Sequence, residues 1–191
     1  QLQQGTPFSA LASAFDQYCG MMMQNCELRH KLAHQVNNVL GRDAYHLAKL
    51  IPNLARILGL DMMNPINHDD DCINAQRRLQ YLLRRFVEVL SNTCAAPVVL
   101  FLDDLQWADP ASIAAVNHLL LTEGPNAHNS RFFFFGCNRE GESNSTHIWT
   151  SLCRSDLLNA KVTDIHLGFM DEHTLNTMVA ETLCLSPRLT R

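Results

Sequence analysis

Lysine is the scarcest charged residue of this chain: 191 residues hold only Lys31, Lys49 and Lys161, and none of them follows a glycine. A glycine-rich phosphate loop of the form GxxxxGK[ST] is therefore absent from the chain. That loop needs glycines to curl its N–H groups around phosphates and a lysine to meet their charge. The net charge is −4, so the basic excess that announces a nucleic-acid surface is missing as well. No apolar run reaches the ~18–20 residues of a membrane span, and residues 1–25 lack the basic start and apolar stretch of a secretory leader. The seven cysteines are odd in number, widely spaced and without a CxxC pair. A disulfide framework and a structural zinc site are disfavoured, and free thiols in a reducing, cytoplasmic setting are expected.

What is present begins with helical periodicity. Thr6-Pro7 reads as a helix start, with Phe8, Leu11, Phe15 and Cys19 following near helical spacing. Leu28, Leu32, Val36 and Leu40 form one stripe over 27–40, with Gly41 behind as a stop. Short helices fit 43–50 and 53–58, broken at Pro52 and Gly59; 60–72 reads as a loop carrying Asp69-Asp70-Asp71. The clearest helix covers 73–91, with Leu79, Leu82, Leu83, Phe86 and Leu90 on its apolar face.

The texture changes at Pro97. VVLFL at 98–102 and FFFFGC at 132–137 read as buried strands, and VTDIHL at 162–167 as a third, alternating one. Helices fit 110–123, behind an Asp109-Pro110 cap, then 146–159, then 171–184. From residue 73 onward, helix and strand alternate, the pattern of a parallel sheet with helices on both faces. The helical front section is expected to flank that core.

The first strand runs into two adjacent carboxylates, Asp103 and Asp104. In an open parallel sheet, ligands sit at the carboxyl ends of the strands. Adjacent carboxylates repel, and near a dry core each resists ionising unless something positive offsets it. A divalent metal with a polyphosphate is the usual remedy: Mg²⁺ takes one or two carboxylates, phosphate oxygens and water. The neighbouring acid is then placed to orient or deprotonate a water. The plainer alternative is that the pair opens a loop. His30 and His34 lie at i, i+4 without a third ligand, and GESNSTH carries no nucleophile elbow, so neither adds a competing site.

FLDDLQWADPAS resembles the Walker B segment of signalling P-loop ATPases, the AAA-type and STAND-type modules similar to the origin-recognition ATPase domain. QLQQGTPFSALASAF resembles the second strand and first long helix of that family, NAQRRLQYLLRRFVEVLSN the helix before Walker B, and FFFFGCNRE the sensor-1 strand. VTDIHLGFMDEHTLNTMVAETL resembles its last strand and first lid helix. The resemblance implies a partial three-layer α/β/α P-loop fold with a helical section over 1–72, a Walker B and sensor-1 part over 73–168, and the start of a lid over 169–191. The first strand and its phosphate loop are expected ahead of Gln1, in a longer protein.

The resemblance further implies that Asp103 holds Mg²⁺ through water. It puts Asp104 in the place of the catalytic acid, near the metal, and makes Arg139 the sensor of the terminal phosphate of ATP. Many relatives carry Glu at the position of Asp104; the shorter Asp implies slow hydrolysis. For Arg139 the alternative is a surface arginine paired with Glu140 or Glu142. Trp107 is expected to pack at the strand-to-helix turn, and Asp109 to cap the next helix. Two functions fit: an ATP-hydrolysing module, or a non-catalytic regulatory scaffold that gates an attached kinase or cyclase domain. The resemblance implies a nucleotide-dependent oligomer among the partners; the acidic balance and the short apolar runs argue against nucleic acid and a membrane as partners. Residues 1–191 alone are expected to bind ATP weakly, since the phosphate loop lies outside them.

Overall fold

The computed structural model describes residues 7–60, 72–94, 97–120, 131–139 and 162–184. The expected loop at 60–72 and helix at 146–159 lie largely or wholly outside them. The chain divides into two compact units, Gln1–Ala160 and Lys161–Arg191.

The first unit opens with α1 (Ser9–Met22), whose buried stripe is Leu11, Phe15, Cys19 and Met22. It starts later than Thr6-Pro7 suggested. Phe8 occupies the N-cap in the left-handed region, φ 66°, with its ring buried. Burial of that ring offsets the backbone strain, which a cap chosen by propensity alone would have avoided. In α2 (Cys26–Leu40), Asn25 caps by accepting hydrogen bonds from the N–H groups of Glu27 and Leu28. Gly41, at φ 53°, closes it as expected. A short 3₁₀ turn, Gly41–Asp43, leads to α3 (Ala44–Leu50). Then comes α4 (Pro52–Leu58), with proline in its first turn and Gly59 left-handed behind it.

The N-terminus of α4 is capped from another helix. The Asn53 N–H donates to Asp16 Oδ1 at 2.6 Å, and Asn53 Nδ2 donates to Asp16 Oδ2 at 3.0 Å. One carboxylate on α1 thus satisfies an orphan donor on α4 and favours its positive end. The next turn of α1 carries Cys19, fully buried, whose thiol is pushed up to about 12 by burial, with a smaller push from Asp16. Against an ordinary value of 9.0 that leaves roughly a thousandfold less thiolate at neutral pH. Native alkylation followed by peptide mass spectrometry should therefore modify the exposed Cys26 and Cys184 readily and leave Cys19 untouched until the protein unfolds.

The long α5 (Cys72–Thr93) is the spine of the unit. It packs on α2 and α3, on β1 (Val98–Leu102), and on α6 (Pro110–Leu120). Its last turn is closed from α2, where Lys31 Nζ donates to the Thr93 carbonyl at 2.9 Å. One continuous core runs from Phe8 through Phe86 and Leu100 to Leu119. The front helices are thus part of this core, where the sequence pattern had suggested a flank: α1 touches α6 directly. No described helix is long and apolar enough to cross a membrane.

Strand β1 pairs in parallel with β2 (Phe132–Gly136), with Val98 opposite Phe132 and Leu102 opposite Gly136. The buried strand expected at 98–102 is covered on one face only. Val98, Leu100 and Leu102 are buried while Val99 and Phe101 stand exposed, as do Phe133 and Phe135. The outer rings gather on themselves, Phe101 and Phe135 lying 5.8 Å apart between centroids. An all-apolar parallel strand needs cover on both faces, and among the described residues only the inner face receives it.

The second unit corrects the third strand. Residues 162–170 form no regular element, and Val162, Ile165 and Leu167 are exposed. Alternation supplies an apolar edge, but a strand exists only where a neighbour takes its main-chain hydrogen bonds. Behind it α7 (Glu172–Thr182) is capped by Asp171, as its sequence indicated. Two hydrogen bonds from Thr174, first from its N–H and then from its hydroxyl, hold the Asp171 carboxyl below the usual carboxylate range.

Candidate functional site

The carboxyl ends of β1 and β2 lie side by side, and the chain leaves β1 through a tight sequence of local bonds. Asp103 is exposed, and its Oδ1 accepts the Asp104 N–H at 2.9 Å, leaving Oδ2 for another ligand. Asp104 adopts the left-handed conformation, φ 53° and ψ 47°, which Asp tolerates better than most residues. That reversal sends the chain into a 3₁₀ turn, Leu105–Trp107, and turns the Asp104 side chain back toward the strand ends.

In a 3₁₀ turn successive side chains point about 120° apart, so three neighbours cannot share one face. Leu105 and Gln106 take the inward directions and are buried, and Trp107 is left outside, 56% exposed. The packing role expected of Trp107 belongs to Leu105 instead. Gly136 makes room for it: a Cβ there would lie 2.6 Å from Leu105 Cδ1. Asp109 does cap α6, accepting from the Ser112 N–H at 2.9 Å and the Ser112 hydroxyl at 2.6 Å. Such a cap contributes about 1 kcal/mol.

Beyond the strands the ladder continues. The Cys137 N–H donates to the Leu102 carbonyl at 2.9 Å, and the Leu105 N–H donates to the Cys137 carbonyl at 2.9 Å. The next rung is made by a side chain: the Arg139 N–H donates to Gln106 Oε1 at 3.2 Å. Gln106 Nε2 in turn donates to Asp104 Oδ1 at 2.8 Å. The Arg139 guanidinium reaches the same oxygen, with Nε 3.5 Å from Asp104 Oδ1.

The adjacent Asp103 and Asp104 and the distant Arg139, all singled out from sequence, thus lie together at the carboxyl ends of β1 and β2. Asp104 and Arg139 form an ion pair; Glu140 and Glu142, the alternative partners, lie outside the described residues. The pair is well solvated, with side-chain exposures of 71% for Arg139 and 43% for Asp104, so its attraction is heavily screened. The donor set is hard: carboxylate oxygens at a solvent-facing rim suit Mg²⁺. The two described lysines are engaged elsewhere, Lys31 on the end of α5 and Lys49 4.8 Å above the Tyr45 ring.

Two participants escaped the sequence reading. Gly136 carries no motif and shows itself only through its neighbour. Gln106 offered a faint signal, a neutral polar residue between Leu105 and Trp107 in an apolar turn.

A family model described as AAA ATPase domain matches residues 1–133. That span includes Asp103 and Asp104 and stops within β2, before Arg139. No curated protein and no solved structure matches the chain.

Proposed function

The chain belongs to the AAA ATPase domain family, and we propose that it contributes the Walker B and sensor-1 half of a site that binds ATP and Mg²⁺ and hydrolyses ATP slowly. The phosphate loop would come from residues outside 1–191. The observation that carries this reading is the convergence of Asp103, Asp104 and Arg139 at the carboxyl rim of β1 and β2, where α/β sheets hold their ligands.

In this reading Asp103, whose Oδ1 already accepts the Asp104 N–H, would help to hold the metal with its other oxygen. Bound Mg²⁺ supplies charge neutralisation for the phosphates. Asp104 orients the attacking water with Oδ2, the oxygen away from Gln106 and Arg139, and accepts its proton. Arg139 exchanges its partner: the Asp104 carboxylate in the nucleotide-free protein, the terminal phosphate when ATP is present. That exchange frees the acid as it engages the phosphate, which suits a switch in signalling with an attached kinase- or cyclase-type output domain.

The test is calorimetry with Mg·ATP on the full-length protein and on residues 1–191 alone, beside phosphate-release assays. Tight binding and turnover by the full-length protein, with weak or no binding by residues 1–191, is the expected result. Binding without turnover would favour the non-catalytic scaffold. Equal tight binding by both would overturn the division of the site.

A further inference from the structure

Gln106 is 3% exposed, yet its carboxamide spends both ends on the rim of the site: Nε2 on Asp104 Oδ1 and Oε1 on the Arg139 N–H. These partners fix its orientation. An ionised carboxylate only accepts and a main-chain N–H only donates. A flipped amide would face oxygen with oxygen and N–H with N–H, exchanging two attractions for two repulsions in a buried setting. No other rotation about the last bond serves both partners. The side chain therefore behaves as a rigid peptide surrogate that extends the β1–β2 ladder by one rung and ends it on the acid.

We propose that Gln106 is a positioning residue that couples the Asp104 carboxylate to the main chain at Arg139, so that movement of the sensor segment is transmitted to the acid. The proposal rests on the reading of Asp104 as the water-orienting acid. Mechanically, Arg139 has two links to Asp104. One is the exposed guanidinium, which departs when a phosphate is offered. The other is the buried relay through Gln106, which does not depend on the guanidinium at all. When Arg139 leaves Asp104 for a phosphate, the relay keeps the carboxylate oriented by its Oδ1 and leaves Oδ2 turned toward the rim. Without the relay, the left-handed Asp104 would hold its carboxylate only by its own torsions.

The experiment uses the full-length protein and three variants, with ATP turnover, ATP affinity and amide exchange measured on each. Gln106→Leu removes both arms. It should lower kcat by about 10–100-fold, the cost of a misplaced catalytic group, with the ATP dissociation constant within about threefold of wild type. Residue-resolved amide exchange at Arg139 should also quicken by tenfold or more, since its acceptor is gone, while exchange at Cys137, whose N–H donates to the Leu102 carbonyl, is unchanged. Gln106→Glu keeps the acceptor for Arg139 but sets a carboxylate against Asp104. Its turnover should also fall, because the two carboxylates repel and Asp104 loses its donor, while amide exchange at Arg139 stays near wild type because its acceptor is kept. This nearly isosteric variant also serves if Gln106→Leu does not fold.

Wild-type kcat in Gln106→Leu and Gln106→Glu would overturn the coupling, as would unchanged exchange at Arg139 in Gln106→Leu. Asp104→Asn separates the two levels. If it abolishes turnover while the Gln106 variants do not, the relay is wrong and the role of Asp104 stands; if it leaves turnover intact, both fall. A loss of ATP affinity and stability in parallel with turnover would mark Gln106 as merely structural.

Discussion

Asp104→Asn in the full-length protein should abolish ATP turnover, by a hundredfold or more, and leave ATP binding within a few-fold of wild type. The size follows from what a positioned base contributes to proton transfer, about 10²–10⁴-fold. The substitution is clean because the amide keeps the shape. The introduced carboxamide retains an oxygen that can accept from Gln106 Nε2, now 2.8 Å from Asp104 Oδ1. The left-handed backbone at φ 53° is a conformation Asn adopts as readily as Asp. Only the charge and the ability to take a proton are lost. Arg139 loses its carboxylate at the same time and is freer to meet a phosphate, which argues against any loss of affinity. Asp103→Asn should differ in kind, raising the Mg²⁺ concentration needed for half-maximal turnover. Steady-state phosphate release across a magnesium titration checks both. Unchanged turnover in Asp104→Asn would remove that carboxylate from the chemistry.

Phe86→Ala has the largest expected effect on stability. Phe86 is fully buried at the middle of α5, and its ring meets Phe15 of α1 edge to face, with centroids 5.8 Å apart at 74°. Because α5 contacts α2, α3, α6 and β1, a void here loosens the element that ties the front helices to the strands. Removing a buried Phe costs about 3–5 kcal/mol, a large share of the roughly 5–15 kcal/mol that holds a typical domain together. For a chain of this size the thermal midpoint should fall by about 10 °C. Tyr81→Ala, on the exposed side of the same helix, should stay within about 0.5 kcal/mol of wild type. Urea unfolding of the two variants side by side separates core loss from any helix-propensity effect. A Phe86→Ala protein as stable as Tyr81→Ala would refute the single continuous core.

Much of this was legible in the amino acids because its causes are local. The stripe of α5, the Gly41 and Gly59 stops and the Asp109 and Asp171 caps all act within one or two helical turns. The adjacent carboxylates behind VVLFL needed only the rule that parallel sheets bind at their carboxyl ends. The misreadings share the opposite character. The helix α1 starts at Ser9 behind a left-handed Phe8 whose ring is buried against residues distant in sequence, which no local cap signal announces. Trp107, expected to pack at the strand-to-helix turn, is exposed, and turn geometry gives that place to Leu105. The alternating 162–167 pattern stayed irregular because no neighbour among the described residues pairs with it.

Residue order by itself determined that helices precede a parallel α/β core, that a carboxylate pair ends its first strand, and that no glycine-lysine phosphate loop lies within the chain. Only the tertiary structure decided that Asp104 faces Arg139, that Gln106 bridges the two, and that Asp16 caps a helix to which it is not joined. The reason is range. Periodicity, caps and strand ends are set by neighbours along the chain. Which acid meets which base, and which amide lies between them, depends on the register of two strands brought together across the chain that separates them.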